Sequence, residues 1–178
     1  MPADLIVQRA MPADAGLMAA LHASCFGDRP CDRPCDRPWD ETAMAQFIAG
    51  PGVLCLIGSL IAEDAVPGGL LIARVAADEA EILTLGVAPA CRRAGLGRAL
   101  LGRAVDDLRA SGATQLFLEV DEANVPALAL YSALGARAVG RRPGYYACRA
   151  DAAIFSLALS DSRSDDGQSL EESREDQR

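Results

Sequence analysis

One junction in the chain concentrates residues able to do chemistry. Leu83 to Val87 reads as a buried strand, Gly95 to Ser111 as a helix, and between them the chain turns through Arg92-Arg93-Ala94-Gly95-Leu96-Gly97-Arg98. Small residues let the backbone approach a bound group closely, and the first amides of a helix point outward without partners. With the helix dipole behind them, those amides make an anion site suited to phosphate. A phosphate loop of the Walker type needs Gly-Lys-Ser/Thr, yet all 17 basic residues here are arginine. A dinucleotide fingerprint needs a third glycine where Leu100 stands. Neither motif fits, and taken alone the glycine pair equally describes a tight strand-to-helix connection.

A second cluster, His22, Cys25, Cys31 and Cys35, has metal-ligating residue types but not the paired spacing of a zinc site. Residues 28–39 repeat Asp-Arg-Pro-Cys, Asp-Arg-Pro-Cys, Asp-Arg-Pro-Trp, so tandem duplication explains two of these cysteines, and no metal is expected. All six cysteines are read as free thiols, since they are scattered through a chain with a good apolar core and no export signal.

The elements that must position the junction follow from periodicity. Leu5 to Val7 is an opening strand. Leu17, Met18, Leu21 and Cys25 lie at helical spacing in a segment from Pro12 to Cys25. A proline every fourth residue makes the 28–39 repeat an extended inserted loop. Asp40 is the expected cap of a helix to Ala49 that turns Met44, Phe47 and Ile48 inward. Val53 to Ile57, Gly69 to Val75 and Glu79 to Val87 read as successive antiparallel strands, with a connection from Gly58 to Gly68 and a tight turn at Ala76-Ala77-Asp78. Leu96, Leu100, Leu101, Ala104, Val105 and Leu108 form one apolar stripe on the helix after the turn, and Gly112 stops it. A strand at Gln115 to Val120, a helix from Val125 to Leu134, a strand starting at Arg137 and a last strand from Asp151 to Leu159 complete the order. This predicts a mixed α/β layer architecture containing one strand-helix-strand unit, Glu79 through Val120.

With 178 residues the chain fits one domain, expected over 1–160, followed by an acidic tail over 161–178 whose composition predicts disorder. No apolar run is long enough to span a membrane, and the start resembles no signal peptide, so a cytoplasmic location is expected. A formal charge of −8 speaks against nucleic-acid binding and is compatible with a cationic peptide partner. Oligomeric state leaves no signal in the sequence.

Downstream of the glycine turn a further block appears: Leu118-Glu119-Val120, Asn124, Ala127-Leu128-Ala129-Leu130-Tyr131 and Leu134-Gly135, then Gly140-Arg141-Arg142-Pro143-Gly144-Tyr145-Tyr146. With Arg92-x-x-Gly95-x-Gly97, this succession resembles the GNAT acetyltransferase superfamily, and within it the RimI-like branch of ribosomal-protein alanine N-acetyltransferases. The resemblance covers residues 5–159, is strong over 79–146 and is faint before Val53. It implies the GNAT fold, a mostly antiparallel central sheet with splayed strands flanked by helices, and acetyl-CoA as cosubstrate.

Roles are carried over by matching positions. Leu85, Gly86 and Val87 would hold the pantetheine arm through their backbone, with the Val87 amide polarising the thioester carbonyl. Arg93, Ala94, Gly95, Leu96, Gly97 and Arg98 would wrap the pyrophosphate, and Asn124 would contact the cofactor. Glu119 matches the family's general base and Tyr131 its general acid. An α-amino group with a pKa of about 7.7–8.0 must lose a proton before it attacks, and a departing thiolate must gain one. Read without the family, Glu119 is an ordinary solvated strand residue and Tyr131 a core aromatic. Trp39, Tyr145 and Tyr146 would line the acceptor groove. Asp121 stands where well-known members carry Arg, and Ala136 where they carry Phe, which bears on acceptor identity more than on the reaction. The implied acceptor is a protein N-terminus, the alanine of a small-subunit ribosomal protein. A small amine, a lysine side chain, or a non-catalytic acyl-CoA binding module remain as alternatives.

Overall fold

The structure, a computed structural model, describes residues 4–27, 38–61, 65–144 and 151–159. Seven strands form a single mixed sheet: β1 (Asp4–Arg9), β2 (Val53–Ile61), β3 (Ala65–Ala76), β4 (Glu79–Val87), β5 (Gln115–Asp121), β6 (Arg137–Arg142) and β7 (Ala152–Ala158). Their order across the sheet is β1-β2-β3-β4-β5-β7-β6, and β4–β5 is its parallel pair. Helices α1 (Ala15–Phe26) and α2 (Glu41–Ala49) cover one face; α3 (Leu96–Ala110) and α4 (Val125–Ala133) cover the other.

The central strands are apolar on both sides because both sides are covered. Along β2 and β3, Leu54, Leu56, Leu71 and Ala73 point to α3, while Cys55, Ile57, Leu70 and Ile72 point to α1 and α2. All six residues of the expected α3 stripe are buried. Asp40 caps α2 through its Oδ1, which accepts from the Ala43 amide at 2.9 Å. A 3-10 turn at Pro12–Asp14 precedes α1, so the first helix starts three residues later than its periodicity suggests.

The connection expected from Gly58 to Gly68 is much shorter. β2 continues through Gly58 to Ile61, and β3 begins at Ala65. These glycines are there for packing: a Cβ on Gly58 would stand 2.9 Å from Leu96 Cδ1, and one on Gly69 2.9 Å from Leu100 Cδ1. They let α3 lie directly on the sheet. The repeat at 28–37 and everything from Ser160 onward lie outside the described residues. Among the described residues no helix is long and apolar enough to cross a membrane.

β4 and β5 pair only from Glu79↔Gln115 to Ile82↔Leu118. β4 then runs five residues farther and β5 three, without hydrogen bonds between them. The cause is a bulge: Ile72 of β3 faces Thr84 while Ala73 faces Ile82, which leaves Leu83 as an extra residue on β4. A bulge bends its strand and increases its twist, and here it swings the end of β4 off β5.

Candidate active site

The gap between β4 and β5 opens into a groove of about 1760 Å³. That is larger than a pocket for one compact ligand and suits an extended one. Its walls come from β4, the loop before α3, the start of α4, the outer face of β5 and the aromatic side chains of α1 and α2.

At the cationic end, Gly95 caps α3 with φ +88, a left-handed conformation that favours glycine. Arg93 takes φ +66, costly for a residue with a side chain and therefore held by its surroundings. No side chain caps α3, and its first helical bond is the Ala99 amide to the Gly95 carbonyl at 3.0 Å. The amides of Leu96, Gly97 and Arg98 are thus the orphan donors of the helix start. A Cβ on Gly97 would meet Val87 and Leu130 only at ordinary contact distances of 3.6 and 3.7 Å. The protein's own packing does not require a glycine there; open space in front of the amides does. Ala94 is half-buried, while Arg92, Arg93 and Arg98 are exposed and take part in none of the ion pairs among the described residues. Orphan donors and the helix dipole meet at this end, and Arg92, Arg93 and Arg98 line the same groove, an arrangement suited to a diphosphate.

Along β4 the backbone alternates. The Ala88 amide donates to the Gly68 carbonyl at 2.8 Å, which makes Gly69↔Val87 a non-hydrogen-bonded pair. Leu85 and Val87 therefore turn their N–H and C=O groups away from β3 and into the gap, where β5 no longer meets them. Arg92 Nε donates to the Val87 carbonyl at 3.1 Å and leaves the Val87 amide facing the groove. Gly86 lines the same groove but its polar groups turn toward β3. Its missing side chain makes room for α1, since a Cβ would stand 2.9 Å from Phe26 and 3.0 Å from Cys25.

Glu119 and Tyr131 arrive from opposite sides of the sheet. On β5, Leu116, Leu118 and Val120 are buried under α3 and α4, so Phe117, Glu119 and Asp121 project from the other face. Helix α4 presents Tyr131 from beneath, 5% exposed and edge-on to Phe155. Only because β4 has left β5 do both side chains line one groove. Burial pushes the Tyr131 phenol up to about 12, which keeps it protonated at any ordinary pH. Glu119 pairs with Arg142, Nη1 to Oε1 at 2.8 Å. Asn124 caps α4, its Oδ1 accepting from the Ala127 amide at 3.3 Å, and it too lines the groove. Asp121 Oδ1 accepts from the Ala123 amide at 2.8 Å and holds the turn between them.

The remaining wall is aromatic. Trp39 stacks on His22 at 4.9 Å and 14°, and tilts against Phe47 at 4.7 Å. Its amide donates to His22 Nδ1 at 3.2 Å. Burial lowers the imidazole to about 4, so Nδ1 stays an acceptor. The family resemblance singles out Trp39, while in the sequence His22 enters only a cluster where no metal is expected, Phe47 is only an inward-facing helix residue and Phe26 has no role, because nothing local says that α1 and α2 meet at this wall. Nor does the resemblance assign Arg92 or Arg142, although both lie in the motifs quoted above. Tyr145 and Tyr146 fall outside the described residues, as do Cys31, Cys35 and Cys148. Cys25, Cys55 and Cys91 are free thiols. Among the described residues no group of three or more His, Cys, Asp or Glu is placed to hold a metal ion.

The profile of the Acetyltransferase (GNAT) family matches residues 18–136, more than half of the chain. The chain is 41% identical over 92 residues to the ribosomal protein bS18-alanine N-acetyltransferase of Escherichia coli (strain K12), a stretch covering 50% of this chain and 62% of that protein. It is 35% identical over 133 residues to the mycothiol acetyltransferase of Clavibacter michiganensis subsp. michiganensis, covering 74% of this chain and 42% of the relative. Its fold matches the crystal structure of the ribosomal-protein-S18-alanine N-acetyltransferase from Escherichia coli with a TM-score of 0.74 and 28% identity, over 91% of this chain and 98% of that one. The aligned stretch thus spans about three fifths of the first relative's length. The chain belongs to the GNAT acetyltransferase family.

Proposed function

We propose that this GNAT family member transfers the acetyl group of acetyl-CoA to the N-terminal amine of a protein, the acceptor being the alanine of a small-subunit ribosomal protein in the cytoplasm. One observation carries the reaction: Glu119 and Tyr131, on opposite faces of the sheet, line one groove that ends at the open N-terminus of α3. The residues present fit the cosubstrate. Orphan amides at Leu96, Gly97 and Arg98, with Arg93 and Arg98 beside them, would take the diphosphate, and the gap-facing backbone of Leu85 and Val87 would take the amides of the pantetheine arm. Acetyl-CoA, when bound, supplies an acetyl group activated as a thioester. Everything else falls to the chain. The Val87 amide donates toward the acetyl oxygen, Glu119 accepts the amine proton directly or through water, and Tyr131 gives its phenolic proton to the departing sulfur. Direct transfer needs no nucleophile from the protein; burial raises the Cys25 thiol, which suits a bystander.

The acceptor assignment rests on the bS18-alanine N-acetyltransferase relatives in sequence and structure. A second acceptor class, a small molecule in place of a protein, has support in the relative named mycothiol acetyltransferase. Mass spectrometry of an alanine-starting peptide incubated with the protein and acetyl-CoA separates them. The peptide should gain one acetyl group, and the same peptide blocked at its N-terminus should gain none. Transfer to small amines alone, or to the blocked peptide through a lysine, overturns the N-terminal reading.

A further inference from the structure

Two adjacent arginines at the end of β6 have different fates. Arg141 ties the edge of the sheet together, its Nε and Nη2 donating to Glu122 at 2.8 and 3.0 Å and its Nη2 meeting Asp151 at 2.6 Å. Arg142 projects from the opposite face, as neighbours on a strand must, and there it meets Glu119. Sheet order brings this about. β7 lies between β5 and β6; Glu119 faces Ile154, Ile154 faces Gly140, and Arg142 stands two residues on, facing Ala152. Gly140 and Ala152 offer little or no side chain, so the arginine can lean across β7 to a carboxylate on β5. Both partners line the groove, with side chains 56% and 26% exposed. A pair this wet is weak and exchangeable, amounting to a factor of about 1.4–5 in an equilibrium constant.

We infer that Arg142 is the resident cation of the acceptor site and a competitor of the acceptor: its guanidinium holds the Glu119 carboxylate in the groove while the site is empty and yields it to the ammonium of an incoming amine. The inference rests on Glu119 being the group that receives the acceptor. An ammonium and a guanidinium compete for the same carboxylate oxygens, and a neutral group cannot replace either. The Glu119 carboxylate therefore discriminates against uncharged chain ends, and Arg142 trims that preference by weakening the binding of charged ones.

Calorimetric titration with an alanine-starting peptide and its N-acetylated twin tests this on the wild-type protein, Arg142→Gln and Arg142→Lys, with coenzyme A in place of acetyl-CoA so that no transfer occurs. Arg142→Gln should bind the free-amine peptide about two- to fivefold more tightly, with KM for that peptide falling in the same ratio. Arg142→Lys, which keeps a cation, should stay within about 1.5-fold of wild type, and the acetylated twin should bind all three proteins alike. Equal or weaker binding of the free amine by Arg142→Gln overturns the inference, and so does an equal gain for the blocked twin, which would mean mere relief of crowding. A wild-type protein that does not prefer the free amine sinks the N-terminal reading along with this one. A wild type that prefers it, without the gain in Arg142→Gln, sinks this one alone.

Discussion

At the scale of single residues, Tyr131 and Glu119 are set apart by their surroundings. The phenol is 5% exposed and pushed up to about 12, while the carboxylate is a quarter exposed and paired with a cation. The phenol stays protonated across the ordinary pH range, and the carboxylate lines the same groove. Glu119→Gln and Tyr131→Phe should each lower kcat by about 10²–10⁴-fold while coenzyme A affinity, read by calorimetry, changes by less than about twofold. Full turnover in either variant removes that residue from the chemistry. Tyr131 also has a signature in stability. Its value in the folded protein stands above the ordinary 10, so the stability linked to its neutral form is complete below pH 10 and is lost as pH rises toward 12. Chemical denaturation across that window should show wild type losing roughly 2–3 kcal/mol more than Tyr131→Phe. Parallel curves would mean that the phenol ionises as it does in water. Both residues were singled out by their place in a known block. Arg142 was not, because its partner lies two strands away across β7 and 23 positions earlier, and strand order across a sheet leaves no trace in local periodicity.

At the scale of elements, helices and strand cores were legible because their apolar spacing reports burial directly. The glycines misled. Gly58 and Gly68 resemble turn residues, yet they sit inside β2 and β3 where α3 and Cys91 approach too closely for any side chain. The junction of α1 with α2 was equally hidden, and His22 anchors its aromatic side. That imidazole accepts the Trp39 amide and stacks on its ring, and burial holds it at about 4 instead of 6.5. A lowered value means that the contribution of the neutral form is complete above pH 6.5 and lost as pH falls through 4, when Nδ1 becomes a donor. Trp39 is the chain's single tryptophan, so its emission reports this wall alone. The emission should titrate with a midpoint near 4 and should be flat over the same range in His22→Gln. A midpoint near 6.5 would show that the ring is open to water and that the aromatic wall is not packed as described.

At the scale of the whole molecule, the groove depends on one of three irregularities among the sheet's described residues. β4 and β5 pair for four residues and then part after the Leu83 bulge, and the groove exists only beyond that point. Alternation along Leu83 to Val87 gives no warning of it; the splay was anticipated through the family resemblance alone. The first half of β4 and β5 must then hold the two sides of the molecule together, and Leu159 seals that end. It is 2% exposed, its amide donates to the Thr114 carbonyl at 2.8 Å, and its own carbonyl accepts from Arg109 Nε at 2.8 Å. The 18 residues after Ser160 carry seven acids and three arginines, with one leucine among them, and offer almost nothing to bury. A chain ending at Ser160 should therefore melt within about 2 °C of the full chain, whereas one ending at Ala158 should lose about 2–4 kcal/mol, or about 5–10 °C. Calorimetry of the two truncations decides the matter. If ending at Ser160 costs as much as ending at Ala158, the acidic tail belongs to the folded domain, and the boundary expected after Ser160 is wrong.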